Sequence, residues 1–114
     1  MDYGTTPISD EYMQDLLGKS KSYSLVLLRT GPNYNADARP TVMEHGRRNM
    51  ALREEGVLSI VCRVADDSPW AGIGIFDAPA DEVASILEGD PGVQAGIFTY
   101  EIHPVMSFPG DALP

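Results

Sequence analysis

The 114-residue chain has one cysteine, two histidines and no lysine or arginine beyond Arg63. Each shortage excludes something. A single thiol cannot build a disulfide framework. Cys62 lies in an apolar, strand-like run and reads as a small buried hydrophobe in a reducing compartment. Two widely separated histidines and one cysteine match no metal-ligand spacing, so no metal is expected. No apolar run approaches the ~20 residues that cross a bilayer, so no membrane span is expected. The start, Met1-Asp2-Tyr3-Gly4, is acidic and polar and does not read as a signal peptide; a cytoplasmic location is expected.

The shortage of bases is uneven. The net charge is −9, and all eight lysines and arginines lie between Lys19 and Arg63, matched there and upstream by eight acids. Val64 to Pro114 holds nine acids and no base. Neither nucleic acid nor an anionic membrane surface is expected as a partner, because both need a basic face. The acids serve solubility. At this length the chain buries roughly two-thirds of its unfolded surface, enough for one core. Repeats and low-complexity tracts are absent.

The hydrophobic periodicity predicts a short helix over Ser9 to Leu17, with Ser9 as cap, Tyr12, Met13, Leu16 and Leu17 as apolar stripe and Gly18 as stop. Lys19 to Lys21 reads as linker. Strands are predicted over 23–30, 57–63, 70–76 and 97–103. A helix between the first two is expected to start on a capping box, Thr41 with Glu44, and to end at Gly56. A second helix starts at Pro79, stops at Gly89 and is blocked by Pro91. Gly72 and Gly74 invite close backbone approach. Residues 106–114 read as an irregular tail.

The order βαββαβ predicts a ferredoxin-like α+β domain, with four antiparallel strands and both helices on one face. Its other face ought to be polar. Instead Leu25 and Leu27 oppose Val26 and Leu28, and Val57 and Val61 oppose Leu58 and Ile60, so both faces are apolar. Sheet-to-sheet pairing in a homodimer covers the second face; the alternative is cover by the N-terminal helix within one chain.

This topology gathers Arg29, Arg39, His45, Arg47, Arg48, Arg63, Trp70 and Asp90 at one sheet edge. His45 is expected one turn inside its helix, where the macrodipole favours neutral imidazole, while Asp90 or Glu44 favours the protonated form. The expected catalytic pair is His45 with Asp90; the competing reading is a polar residue satisfied by a carboxylate. Arg29, Arg39, Arg63, Asn49 and Trp70 are the expected substrate-binding residues. Asn49 shares the His45 helical face. Trp70 offers an aromatic wall or core packing. Arg29 follows Leu25 and Leu27 on its strand face and needs an anionic partner. Of Arg47 and Arg48, at least one is a solvated charge. His103 reads as structural. Gly72-Ile73-Gly74 lacks the third glycine of a dinucleotide fingerprint, and no nucleophile elbow is present, so no cofactor is expected.

The run Arg39-Pro40 to His45, the eleven positions on to Gly56, Gly89-Asp90-Pro91-Gly92-Val93-Gln94-Ala95-Gly96-Ile97, and Ile102-His103-Pro104 together resemble the YCII-related family. The resemblance spans residues 22–105. It implies a ferredoxin-like protomer paired into a dimeric α+β barrel, with His45 as the family histidine in an edge cleft. It also implies activity on small ring-derived organic acids or chlorinated aromatic compounds. The helix and linker at 1–21 and the tail at 106–114 lie outside it. Two function classes follow. One is a small cofactor-free lyase or isomerase acting on a small anionic or aromatic molecule. The other is a non-catalytic dimeric binding or accessory module.

Overall fold

Strand pairing, rather than helix packing, organises the molecule. The computed structural model describes residues 2–114. Its elements are α1 (Asp10–Gly18), β1 (Lys21–Thr30), α2 (Arg39–Glu54), β2 (Leu58–Arg63), β3 (Trp70–Phe76), α3 (Ala80–Glu88), α4 (Pro91–Gln94) and β4 (Phe98–Ser107). The four strands form one antiparallel sheet in the order β2-β3-β1-β4, the expected ferredoxin-like arrangement.

β1 pairs with β4 along its whole length, from Lys21 opposite Ser107 to Thr30 opposite Phe98. This pairing lengthens both strands beyond their apolar runs. Lys21 therefore belongs to β1, where its ammonium meets Asp77 at 2.8 Å. Met106 and Ser107, expected in the tail, belong to β4.

α2 and α3 pack on one face. Leu52, Val83 and Leu87 meet Val26, Leu58 and Phe76 there, forming the main core. Leu58 and Val83 are almost wholly sequestered. A second cluster, Leu28, Ala38, Ile97 and Phe98, lies toward the start of β4. No described helix is long and apolar enough to cross a membrane.

Two register shifts alter the predicted alternation. Leu58 faces Phe76 and Ile60 faces Ile75, so Ser59 is the extra residue of a bulge in β2. The bulge sends Ile60 to the outer face and returns Val61 to the core side beside Leu58. The predicted pairing of Leu58 with Ile60 on one face is therefore wrong. In β3, Leu28 faces Gly72 and Arg29 faces Trp70. Ala71 is extra and turns inward, where it packs with Leu28 and Phe98.

The outer face carries Leu25, Leu27, Ile60, Ile73 and Ile75. α1 does not cover it. No residue of α1 is buried, and Tyr12, Met13 and Leu17 are all more than half exposed. Cover by the N-terminal helix, the expected alternative, is thereby excluded; on the Ile60–Ile75 side, Phe108, Ala112 and Leu113 of the tail share a cleft with the outer face.

α2 also begins earlier than expected. Asn35 Oδ1 accepts from the Asp37 N–H at 2.9 Å, setting a 3-10 turn over Ala36–Ala38 that runs straight into Arg39. Pro40 sits in the first turn, where its missing N–H costs nothing. Thr41 is thus inside the helix and caps nothing. Gly56 ends the helix as expected, with φ +86°.

Leu58→Ala would leave a cavity at the centre of this core. Loss of about 2–5 kcal/mol of stability is expected, read as a lower urea midpoint with an unchanged m-value.

Candidate functional site

The site is built around a buried acid. Asp90 follows α3 and is the N-cap of α4: its Oδ2 accepts from the N–H groups of Gly92 at 2.9 Å and Val93 at 3.1 Å. Pro91 occupies the first turn of that helix, as the missing N–H permits. Gly92 is required by space. A Cβ there would lie 2.6 Å from the Phe98 ring and 3.0 Å from Asp90 Oδ2. The short helix was not predicted, because Pro91 reads as a stop as readily as a start.

His45 reaches this carboxylate from α2, with Nδ1 at 2.9 Å from both oxygens. Asp90 is 1% exposed and His45 only slightly more open. The Phe98 ring packs on the imidazole with centroids 4.6 Å apart. Arg48, one turn along α2, brings its guanidinium to 3.8 Å from Asp90 Oδ1. Asn49 Nδ2 lies 3.2 Å from His45 Nε2.

These contacts set the proton positions. Burial pushes the Asp90 carboxyl up. The hydrogen bond and charge of His45, with the Val93 and Gly92 N–H groups, outweigh burial and hold it below the ordinary carboxylate range. An ionised carboxylate only accepts, so Nδ1 of His45 carries a hydrogen. In the neutral ring Nε2 is then an acceptor, and Asn49 donates to it. His45 is the seventh residue of α2, beyond the first turn, where the macrodipole has faded. The carboxylate, and not the helix end, governs this ring.

A cavity of about 670 Å³ opens between α2 and the sheet. His45 and Asn49 stand in its wall, while Asp90 does not. Nε2 is therefore the ring nitrogen on the cavity side. Gly72 and Gly74 turn their faces inward and leave the cavity floor bare of side chains, next to Phe76 and Leu58. Arg63 and Trp70 line the mouth. So do Asp66 and Asp67. No described group of His, Cys, Asp and Glu residues could hold a metal ion.

The expected site residues thus divide. His45 touches both Asp90 and Asn49, and Arg63 and Trp70 border the cavity that His45 and Asn49 line. Arg29 is not among them. Strand alternation puts it on the outer face, where its guanidinium stacks 5.3 Å from the Trp70 ring; an aromatic face, not an anion, is its partner. Arg39 is exposed in the first turn of α2 and does not reach the cavity. Arg47 is solvated and pairs with Glu44. Arg48 is at the expected edge but was given no site role, and Phe98 was missed. Arg48 lies three residues after His45, a spacing that places it on the same side of the helix. Phe98 gave no local signal, because only the β1–β4 register brings it to the ring.

The depressed Asp90 carboxyl has a pH consequence. Its contribution to stability is complete above the carboxyl pKa of the unfolded chain, about 4, and is lost as pH falls through the lower folded value. Asp90→Asn keeps a capping oxygen but not the charge. It is expected to cost about 2 kcal/mol at pH 7 and to flatten the acid limb of the stability curve. Asp90→Ala loses the cap as well, about 1 kcal/mol more. Urea unfolding between pH 2 and 7 reads both.

Comparison with known proteins agrees with the fold. Two solved structures share the fold. One is 5-chloro-2-hydroxyhydroquinone dehydrochlorinase (TftG) from Burkholderia phenoliruptrix AC1100, in complex with 2,5-dihydroxybenzoquinone. It is 21% identical over 71% of this chain and 90% of its own, with TM-score 0.56. The other is muconolactone isomerase, 18% identical over 81% of this chain and 96% of its own, with TM-score 0.60. Both are ferredoxin-like α+β-barrel proteins. No curated protein matches the chain by sequence. Residues 22–108 match the YCII-related domain, and the chain belongs to that family.

Proposed function

We propose that this protein is a proton-transfer enzyme of the lyase or isomerase type, acting on a small ring-derived organic acid or hydroxylated aromatic compound. The observation that carries the reading is the His45–Asp90 contact, which turns Nε2 toward a cavity of substrate size. Nε2 takes a proton from an acidic C–H or O–H. Asp90 stabilises the imidazolium that forms, as an orienting carboxylate does for a histidine base. The electron pair left behind forms an enolate or a new double bond. The reaction then ends either by return of the proton at another carbon or by departure of a leaving group. Arg63 at the mouth supplies a guanidinium for a substrate oxyanion. The fold shared with a dehydrochlorinase and an isomerase supports this class of chemistry.

A panel of small γ-lactone acids and chlorinated hydroxyhydroquinones tests it. Turnover is followed by ultraviolet absorbance, and silent proton exchange by NMR in D2O. His45→Ala is expected to lower kcat/KM by about 10²–10⁴, the usual contribution of a positioned acid–base group. Exchange that is equal in the variant would overturn the assignment. One observation favours a binding module instead: Asn49 already engages Nε2. Saturable thermal stabilisation by a panel compound, with neither turnover nor exchange, decides for that reading.

The apolar outer face supports a homodimer paired sheet to sheet. A single charge at its centre, Leu27→Asp, is expected to convert the dimer to a folded monomer in sedimentation velocity at micromolar concentration.

A further inference from the structure

Residues Asp10–Gly18 form a well-made helix with nothing to rest on. Ser9 accepts from the Tyr12 N–H at 3.1 Å, yet no α1 residue is buried. Nine residues are too few for a helix to persist alone in water, since helices under ~12 residues are marginal without packing. The molecule is also elongated. The radius of gyration is 16.9 Å and the longest extent 54 Å, against about 13 Å for a compact chain of this size. α1 precedes residue 22, where the family domain starts.

Its surface has a definite chemistry. Tyr12, Met13, Leu16 and Leu17 share one face and are 57%, 55%, 37% and 51% exposed. Asp10 flanks that face on one side, and Glu11 and Asp15 on the other, Asp15 holding an exposed ion pair with Lys19 at 3.1 Å. No base occurs before Lys19. The counterpart surface is on α2. Met43 and Met50, two turns apart, are 53% and 49% exposed. Helical spacing groups Arg39, Arg47 and Arg53 around them, with the exposed Glu54 on the same face. Arg47 and Arg53 hold only exposed, local ion pairs, with Glu44 and Glu54. Such pairs contribute little and exchange readily. Methionines suit an adaptable docking surface. One helix is apolar with a net acidic border; the other is apolar with a net basic one.

α1 has no extensive packing against α2 of its own chain. We propose that α1 is an arm that docks on α2 of a second copy of this chain, stripe on stripe, with Asp10, Glu11 and Asp15 meeting the Arg39, Arg47 and Arg53 face. Met50 and Gly46 also line the His45 cavity. An arm seated there borders the cavity mouth, so the second copy completes the wall of the site. The arrangement gives Arg39 a role at an interface. It needs a second copy but not the sheet-to-sheet pairing.

Disulfide trapping between differently tagged chains tests the arm. One chain carries Met13→Cys and the other Met50→Cys, both in a Cys62→Ser background. Mild oxidation is expected to give a mixed-tag dimer on non-reducing gels. Ser85→Cys on α3 in place of Met50→Cys is expected to give at least fivefold less. Leu16→Asp with Leu17→Asp is expected to abolish the product, and Arg47→Glu with Arg53→Glu to reduce it severalfold. Equal trapping at Met50→Cys and Ser85→Cys overturns the proposal. So does a disulfide confined to a single chain carrying both cysteines. A dimer in sedimentation with no mixed-tag product overturns the arm while leaving the sheet pairing standing.

Discussion

A buried anion has to be surrounded by donors, and that requirement links the fold of this protein to its site. Asp90 lies almost completely out of water and is tolerated because His45, two backbone N–H groups and the nearby Arg48 face it. The donors come from different elements. The ring and guanidinium belong to α2; the N–H groups belong to α4. Satisfying one carboxylate therefore docks the α3–α4 corner against α2 and, in the same contact, fixes the tautomer and direction of the imidazole. Phe98, the first residue of β4, closes the packing against the ring. Its position depends on a glycine at 92, where a methyl group would strike it.

The two faces of the sheet divide the work. The inner face is stripped of side chains at Gly72 and Gly74, so α2 and the sheet enclose empty volume where most of the domain is closely packed. The outer face keeps large aliphatic residues that α1 leaves uncovered. The bulges at Ser59 and Ala71 enforce the division. Without the first, Ile60 would crowd the core and Val61 would leave it. Without the second, Trp70 would turn inward and lose its stack with Arg29.

Much of the fold is legible from the sequence, because each strand is an apolar run with punctuation at its ends. The order of elements, Gly56 and Gly89 as helix ends, and the meeting of His45 with Asp90 all follow from spacing and topology. What escapes the sequence has identifiable causes. Pro40 and Pro91 each stand inside the first turn of a helix, so reading proline as a break moved one helix start and hid another helix entirely. Bulges add a residue without any local signature, so alternation failed beyond Ser59. Arg29 and Arg39 were assigned by edge alone. A sheet edge has two faces and a helix has a full circumference, and only coordinates say which side a guanidinium takes. Phe98 is a contact of long sequence separation, invisible to any periodicity.

The bare cavity floor carries a consequence for specificity. The two glycines beneath the cavity are not equally replaceable. A methyl at Gly72 would lie 2.9 Å from the backbone oxygen of Cys62, inside the hydrogen-bonded ladder. A methyl at Gly74 would approach only side chains, Leu58 and Phe76, at 3.2 Å. Position 74 is thus the one of the two where an added carbon asks core side chains, and not the backbone ladder, to give way. The His45–Asp90 contact, between α2 and the start of α4, lies apart from that floor.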